Sequence, residues 1–166
     1  ALAIAKRGHA VVGLELTPTA VAAATAAAAE RGLPNATFAQ ADLTSFTGYD
    51  GRFSTIFASG LLHALPAELR EGYLRSAYRA AAPGAKYYIL AFGTGAFTDH
   101  AGPGPTQFTE GQLRQEVSRH WHIDEIRPAA LFSATAKMRD GTVVTTAQPD
   151  AQGRVELPAF LVIAHK

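Results

Sequence analysis

Three short stretches of this chain end in residues that can do chemistry. The first is Ala10-Val11-Val12-Gly13-Leu14-Glu15, an apolar run closed by a carboxylate. In an open parallel sheet, ligands bind outside the carboxyl ends of the strands. A carboxylate there can accept two charge-assisted hydrogen bonds from the vicinal hydroxyls of a ribose. The second stretch is Phe38-Ala39-Gln40-Ala41-Asp42-Leu43, another strand signal with an acid just past it. Asp42 can accept from the exocyclic amine of an adenine, and the backbone N–H of Leu43 can donate to a ring nitrogen. Alone, Glu15 is equally a solvated strand end, and Asp42 is a common turn residue. Together they describe a ribose-plus-adenine pocket.

The third stretch is Ser59-Gly60-Leu61-Leu62-His63-Ala64-Leu65-Pro66, where a strand ends in Ser-Gly and a short loop carries a histidine toward a helix. Gly60 permits close backbone approach to a ligand. His63 is either a packed histidine bonded to backbone, or a group that bonds a substrate hydroxyl or takes its proton near neutral pH. His100 sits in the Gly- and Pro-rich stretch 93–107. It is either a solvent-exposed loop residue or a second such base, on a loop that can fold over an acceptor and exclude water.

These residues need strands that end at the right places. A helix end over 1–7 with Gly8 as its stop leads into a strand over 9–15. Thr17-Pro18 caps and starts a helix that runs through the alanines to about 31. Strands follow at 37–40 and 53–58. Pro66 opens a helix with Leu69, Tyr73, Ala77, Ala80 and Ala81 on one face, ended by Pro83-Gly84 before a strand over 86–92. Thr109 and Gln112 have capping-box spacing, with Phe108 able to staple onto Leu113, and this helix ends near 120. Strands are predicted at 122–127 and 157–165, with a hairpin of 131–138 and 142–146 about Asp140-Gly141 between them. The alternation predicts an α/β domain, a doubly wound and mostly parallel sheet with an antiparallel pair at its C-terminal edge.

Composition narrows the possible partners. The 166 residues are enough for one domain with a proper core; 48% are hydrophobic and 17% charged. A formal net charge of +1 without a basic run gives no reason to expect nucleic acid or an anionic membrane. No apolar stretch approaches the ~20 residues that span a bilayer. Lys6-Arg7 follow the first apolar residues, which is not the order of a signal peptide, so the cytoplasm is the expected location. The absence of cysteine excludes disulfides, a thiolate nucleophile and a Cys-ligated zinc. Nothing in the sequence sets the oligomeric state.

At VVGLELTPTAV, FAQADL, FSTIFASGLLHALP and AAPGAKYYILAF the chain resembles the class I S-adenosylmethionine-dependent methyltransferases, in particular the branch acting on small molecules. The resemblance spans about residues 1–130. It implies a Rossmann-like fold, S-adenosylmethionine as cofactor with S-adenosylhomocysteine as product, and a small-molecule acceptor methylated on O, S or N. It places Glu15 with Leu16 at the ribose hydroxyls, Asp42 with Leu43 at the adenine, and Ser59-Gly60 where the methionine part and the transferred methyl come close. His63 and His100 are the candidates for a base. The family's first strand and its Gly-rich loop do not occur in these residues, so the expectation is a single methyltransferase domain over 1–166 that is N-terminally incomplete. No Asn-Pro-Pro-Tyr type tetrapeptide follows Phe57, which disfavours DNA and glutamine substrates. Two other readings stay open: a non-catalytic methyltransferase-like binding module, and an NAD(P)-dependent oxidoreductase, whose ribose Glu15 would fit equally well.

Overall fold

The computed structural model describes residues 1–97, 104–134 and 148–166. The chain divides into two compact units, Ala1–Phe46 and Thr47–Lys166.

The first unit is a strand–helix–strand motif. A short helix α1 (Leu2–Ala5) precedes β1 (Val11–Glu15), α2 (Pro18–Glu30) and β2 (Ala36–Gln40). Thr17 caps α2, its side chain accepting from the N–H of Ala20 at 3.4 Å. Alanine dominates the helix interior because it loses no side-chain entropy there. The far end stops in a Schellman motif. Gly32 takes φ +61°, its N–H donates to Ala29 O at 3.0 Å, and the N–H of Leu33 donates to Ala28 O at 3.0 Å. Asn35 then ties the unit together, its Nδ2 donating to both Ala5 O and His9 O at 2.8 Å. β1 and β2 pair in parallel, with Gly13 opposite Phe38 and Glu15 opposite Gln40. A Cβ on Gly13 would lie 2.5 Å from Cδ1 of Phe38, so the ring covers the glycine and no larger residue fits without moving it.

The second unit carries β3 (Phe53–Ser59), α3 (Ala67–Ala80), β4 (Ala81–Phe92), α4 (Glu110–Val117), β5 (His122–Ser133) and β6 (Val155–His165). Its sheet order is β3-β4-β6-β5. β3 and β4 are parallel, while β6 runs antiparallel to both its neighbours. The parallel core and antiparallel C-terminal edge are as the sequence predicts. Ala85, Tyr87, Ile89 and Ala91 are buried at the period of a strand. Tyr73 on α3 and Tyr87 on β4 share a hydrogen bond of 2.5 Å between hydroxyls, and burial pushes the Tyr73 phenol up to about 12. The capping box at Thr109 and Gln112 forms as expected, and the staple residues Phe108 and Leu113 are both buried.

Four sequence expectations need correction. The buried face of α3 is Arg70, Tyr73, Leu74, Ser76, Ala77 and Ala80, and Leu69 is 42% exposed. Tyr73, Ala77 and Ala80 face the core as predicted, Arg70, Leu74 and Ser76 join them, and only Leu69 of the predicted face turns out to solvent. β4 begins directly at Ala81, through Pro83-Gly84, because Ala81 already pairs with Phe53 before a register shift. α4 ends at Val117 rather than near 120. The strands predicted at 122–127 and from 131 are one strand. β5 runs through Pro128 because it is the edge of its sheet, where a missing N–H disturbs no second ladder. The remainder of the predicted hairpin, including Asp140-Gly141, lies outside the described residues. Among those described, no helix is long and apolar enough to cross a membrane.

Candidate functional site

In the first unit, the parallel pairing of β1 and β2 brings both acids to one end of the pair. The carbonyl of Glu15 accepts from the N–H of Ala41 at 2.8 Å, and Gln40 Nε2 donates to Leu16 O at 3.1 Å. These two bonds lock the strand ends side by side. The Glu15 side chain is exposed and has no partner among the described residues, and Leu16 beside it is 60% exposed. Asp42 is held differently. Its Oδ1 accepts from Thr44 N–H at 2.9 Å and from Thr44 Oγ1 at 2.7 Å. These bonds from Thr44 hold the carboxyl below its ordinary value, so it is an ionised acceptor at neutral pH. The backbone N–H of Leu43 makes no hydrogen bond among the described residues. A free carboxylate, a fixed ionised carboxylate and a free N–H at one sheet end make a donor–acceptor set that suits a ribose and an adenine.

The second unit builds around His63. β3 ends at Ser59, which is exposed. Gly60 turns the chain with φ +84°, a conformation that strains any residue with a Cβ. Its N–H donates to Leu90 O at 3.0 Å, which keeps the turn on the sheet. A single helical turn follows, with Ala64 N–H and Leu65 N–H both donating to Leu61 O, and it directs His63 inward. The residue is 8% exposed. It stacks on Phe92 with ring centroids 3.9 Å apart, and its Nδ1 accepts from the N–H of Phe92 at 3.1 Å. Because an amide N–H can only donate, Nδ1 carries no proton and the neutral ring is protonated at Nε2. A Cβ placed on Gly60 would lie 3.6 Å from that Nε2.

Burial lowers the His63 pKa from 6.5 to about 4. In the unfolded chain the ring takes a proton near 6.5, while the folded ring resists it down to about 4. The folded value is the lower one, so the stability present above pH 6.5 is lost as pH falls through this window. The loss is on the order of 3 kcal/mol. Thermal unfolding between pH 7 and 4 checks it. Wild type should lose stability more steeply than His63→Phe, and parallel curves would contradict the assignment.

A clamp that sequence reasoning missed holds this region. Arg70 is 6% exposed. Its Nε donates to Leu65 O at 3.1 Å, Nη1 pairs with Glu116 Oε1 at 3.1 Å, and Nη2 donates to Thr106 Oγ1 at 2.5 Å. The guanidinium also lies over the ring of Phe108, 4.8 Å from its centroid. Thr106 in turn donates its N–H to His63 O at 2.8 Å. One arginine therefore ties the His63 turn, the end of the 93–107 loop and α4 together. Its signal was present in the sequence as a charged position in register with Tyr73, Leu74 and Ala77. His100 lies outside the described residues. Of the remaining histidines, His120 and His165 pair with carboxylates, Glu71 at 2.6 Å and Asp124 at 2.7 Å.

The chain is similar to known proteins along its whole length. Residues 1–84 match the methyltransferase domain family. The 2-heptyl-1-hydroxyquinolin-4(1H)-one methyltransferase of Mycobacteroides abscessus is 47% identical over 169 residues, spanning 100% of this chain and 74% of that protein. A solved structure concerned with the conversion of a disulfide bond into a thioacetal group during echinomycin biosynthesis is 28% identical. It superposes with a TM-score of 0.78 over 99% of this chain and 70% of its own. The Burkholderia thailandensis 1,6-didemethyltoxoflavin-N1-methyltransferase, solved with 1,6-didemethyltoxoflavin and S-adenosylhomocysteine, shares the fold at 19% identity. Its TM-score is 0.65 over 97% of this chain and 63% of that one.

Proposed function

Because the chain belongs to the S-adenosylmethionine-dependent methyltransferases, we propose that it methylates the oxygen of a flat, hydroxylated nitrogen heteroaromatic, with a hydroxyquinolone as the representative acceptor. The observation that carries this reading is the 47% identity, over the whole chain, to a relative named for 2-heptyl-1-hydroxyquinolin-4(1H)-one. S-adenosylmethionine, when bound, supplies an activated methyl and leaves as S-adenosylhomocysteine.

The residues take the following roles. Glu15, next to Leu16, accepts from the two ribose hydroxyls, a role that its free and exposed carboxylate suits. Asp42, kept ionised by Thr44, accepts from the adenine amine, while Leu43 N–H donates to the ring. Ser59 and Gly60 run beside the methionine portion. His63 belongs to the acceptor side. In the transfer the S–CH3 bond breaks with its electron pair passing to sulfur, and the O–CH3 bond forms from the acceptor oxygen. The hydroxyl proton leaves to water. An in-line displacement of this kind asks mainly for alignment, and the residues on the acceptor side supply it.

The test compares two acceptors that differ in one atom. The full-length protein is incubated with S-adenosylmethionine and either 2-heptyl-1-hydroxyquinolin-4(1H)-one or the same compound without the 1-hydroxyl. S-adenosylhomocysteine should form together with a methylated product only from the hydroxylated compound. Turnover of neither, or equal turnover of both, overturns the oxygen-acceptor reading.

A further inference from the structure

The surroundings of His63 argue for a role other than that of a base. His63 is buried. Its Nδ1 is occupied by the amide of Phe92, and its plane is fixed by the Phe92 ring. Its backbone carbonyl is held by Thr106, which Arg70 holds in turn. Nε2 has no partner among the described residues and lies beside Gly60, 3.6 Å from where a Cβ on that residue would stand. A base needs a free lone pair. In this ring the only lone pair on nitrogen is the one already accepting from Phe92, and the free nitrogen carries a proton.

We infer that His63 serves as a fixed neutral hydrogen-bond donor, its Nε2–H directed at the oxygen that accepts the methyl beside Gly60, and does not remove the acceptor's proton. This rests on the oxygen-acceptor reading above and deepens it. The acceptor then arrives as its oxyanion, already deprotonated by solvent. A donor at that oxygen holds one lone pair and leaves another aimed at the methyl. The preferred acceptors are accordingly acidic hydroxyls, such as a hydroxyl on an aromatic ring nitrogen, over aliphatic alcohols.

Two variants and one spectrum decide the matter. His63→Gln places an amide N–H near the position of Nε2 and cannot act as a base. His63→Phe keeps the ring stack and removes the donor. The glutamine variant should keep kcat within about tenfold of wild type with an unchanged pH profile, and the phenylalanine variant should lose about 100-fold or more. Equal losses in both would overturn the donor role. Nitrogen-15 spectra of the wild-type ring at pH 7 give an answer that does not depend on turnover. They should show Nδ1 bare and Nε2 protonated, and a proton on Nδ1 overturns the inference. Wild type that turns over no hydroxyquinolone would sink the acceptor reading, while the spectrum would still decide the state of His63.

Discussion

Replacing Glu15 with Ala is expected to weaken S-adenosylhomocysteine binding by about 100-fold or more and to leave the melting temperature unchanged. Two hydrogen bonds to a charged acceptor contribute about 1.5 kcal/mol or more each, and every 1.4 kcal/mol is tenfold in affinity. Stability is insulated because the side chain is exposed and bonded to nothing among the described residues; such surface changes usually stay within about 0.5 kcal/mol. The strand end itself is held by backbone, through Glu15 O and Ala41 N–H, so the substitution does not unravel it. Calorimetric titration beside a thermal melt reads both halves. Unchanged affinity, or a large fall in melting temperature, would contradict the role.

Replacing Arg70 with Met has the opposite signature. Removing one partner of a buried ion pair typically costs about 3–5 kcal/mol, because the other charge stays behind without compensation. Here Glu116 is left with one oxygen already buried and unpaired, and Thr106 and Leu65 O lose their donor as well. For a chain of this size the melting temperature should fall by about 10 °C. The double variant Arg70→Met, Glu116→Leu should recover much of the loss, since a hydrophobic pair of similar volume leaves no stranded charge. Urea unfolding of both variants measures this. A loss below 1 kcal/mol in the single variant, or no recovery in the double, would show that the clamp does not carry the region.

Local features were readable from sequence because local rules produce them. Thr17-Pro18 and the Thr109–Gln112 box state where helices start, and Gly32 states where one stops. The placing of Glu15 and Asp42 at one end of the β1–β2 pair was readable because each closes or follows an apolar run that forms a strand. The helical spacing puts Arg70 on the face of Tyr73, Leu74 and Ala77, but what lets a charge be buried there was not readable. A buried arginine depends on a carboxylate 46 positions away, on Thr106 and on the face of Phe108, and none of these is visible from the helix alone. Leu69 therefore took its place in the predicted core. The tautomer of His63 was hidden for the same reason, since it is set by the amide of Phe92, 29 residues on. Pro128 misled in the other direction. It reads as a break, yet an edge position lets a strand continue through it.

In the proposed function, the acids closing β1 and following β2 hold the adenosine part of S-adenosylmethionine. The most direct measurement titrates S-adenosylhomocysteine and NADH separately into the full-length protein and into its Glu15→Ala variant by calorimetry. S-adenosylhomocysteine should bind wild type saturably and one-to-one, that binding should be lost in the variant, and NADH should give no heat. Binding of NADH that depends on Glu15, or no heat with S-adenosylhomocysteine, would contradict it.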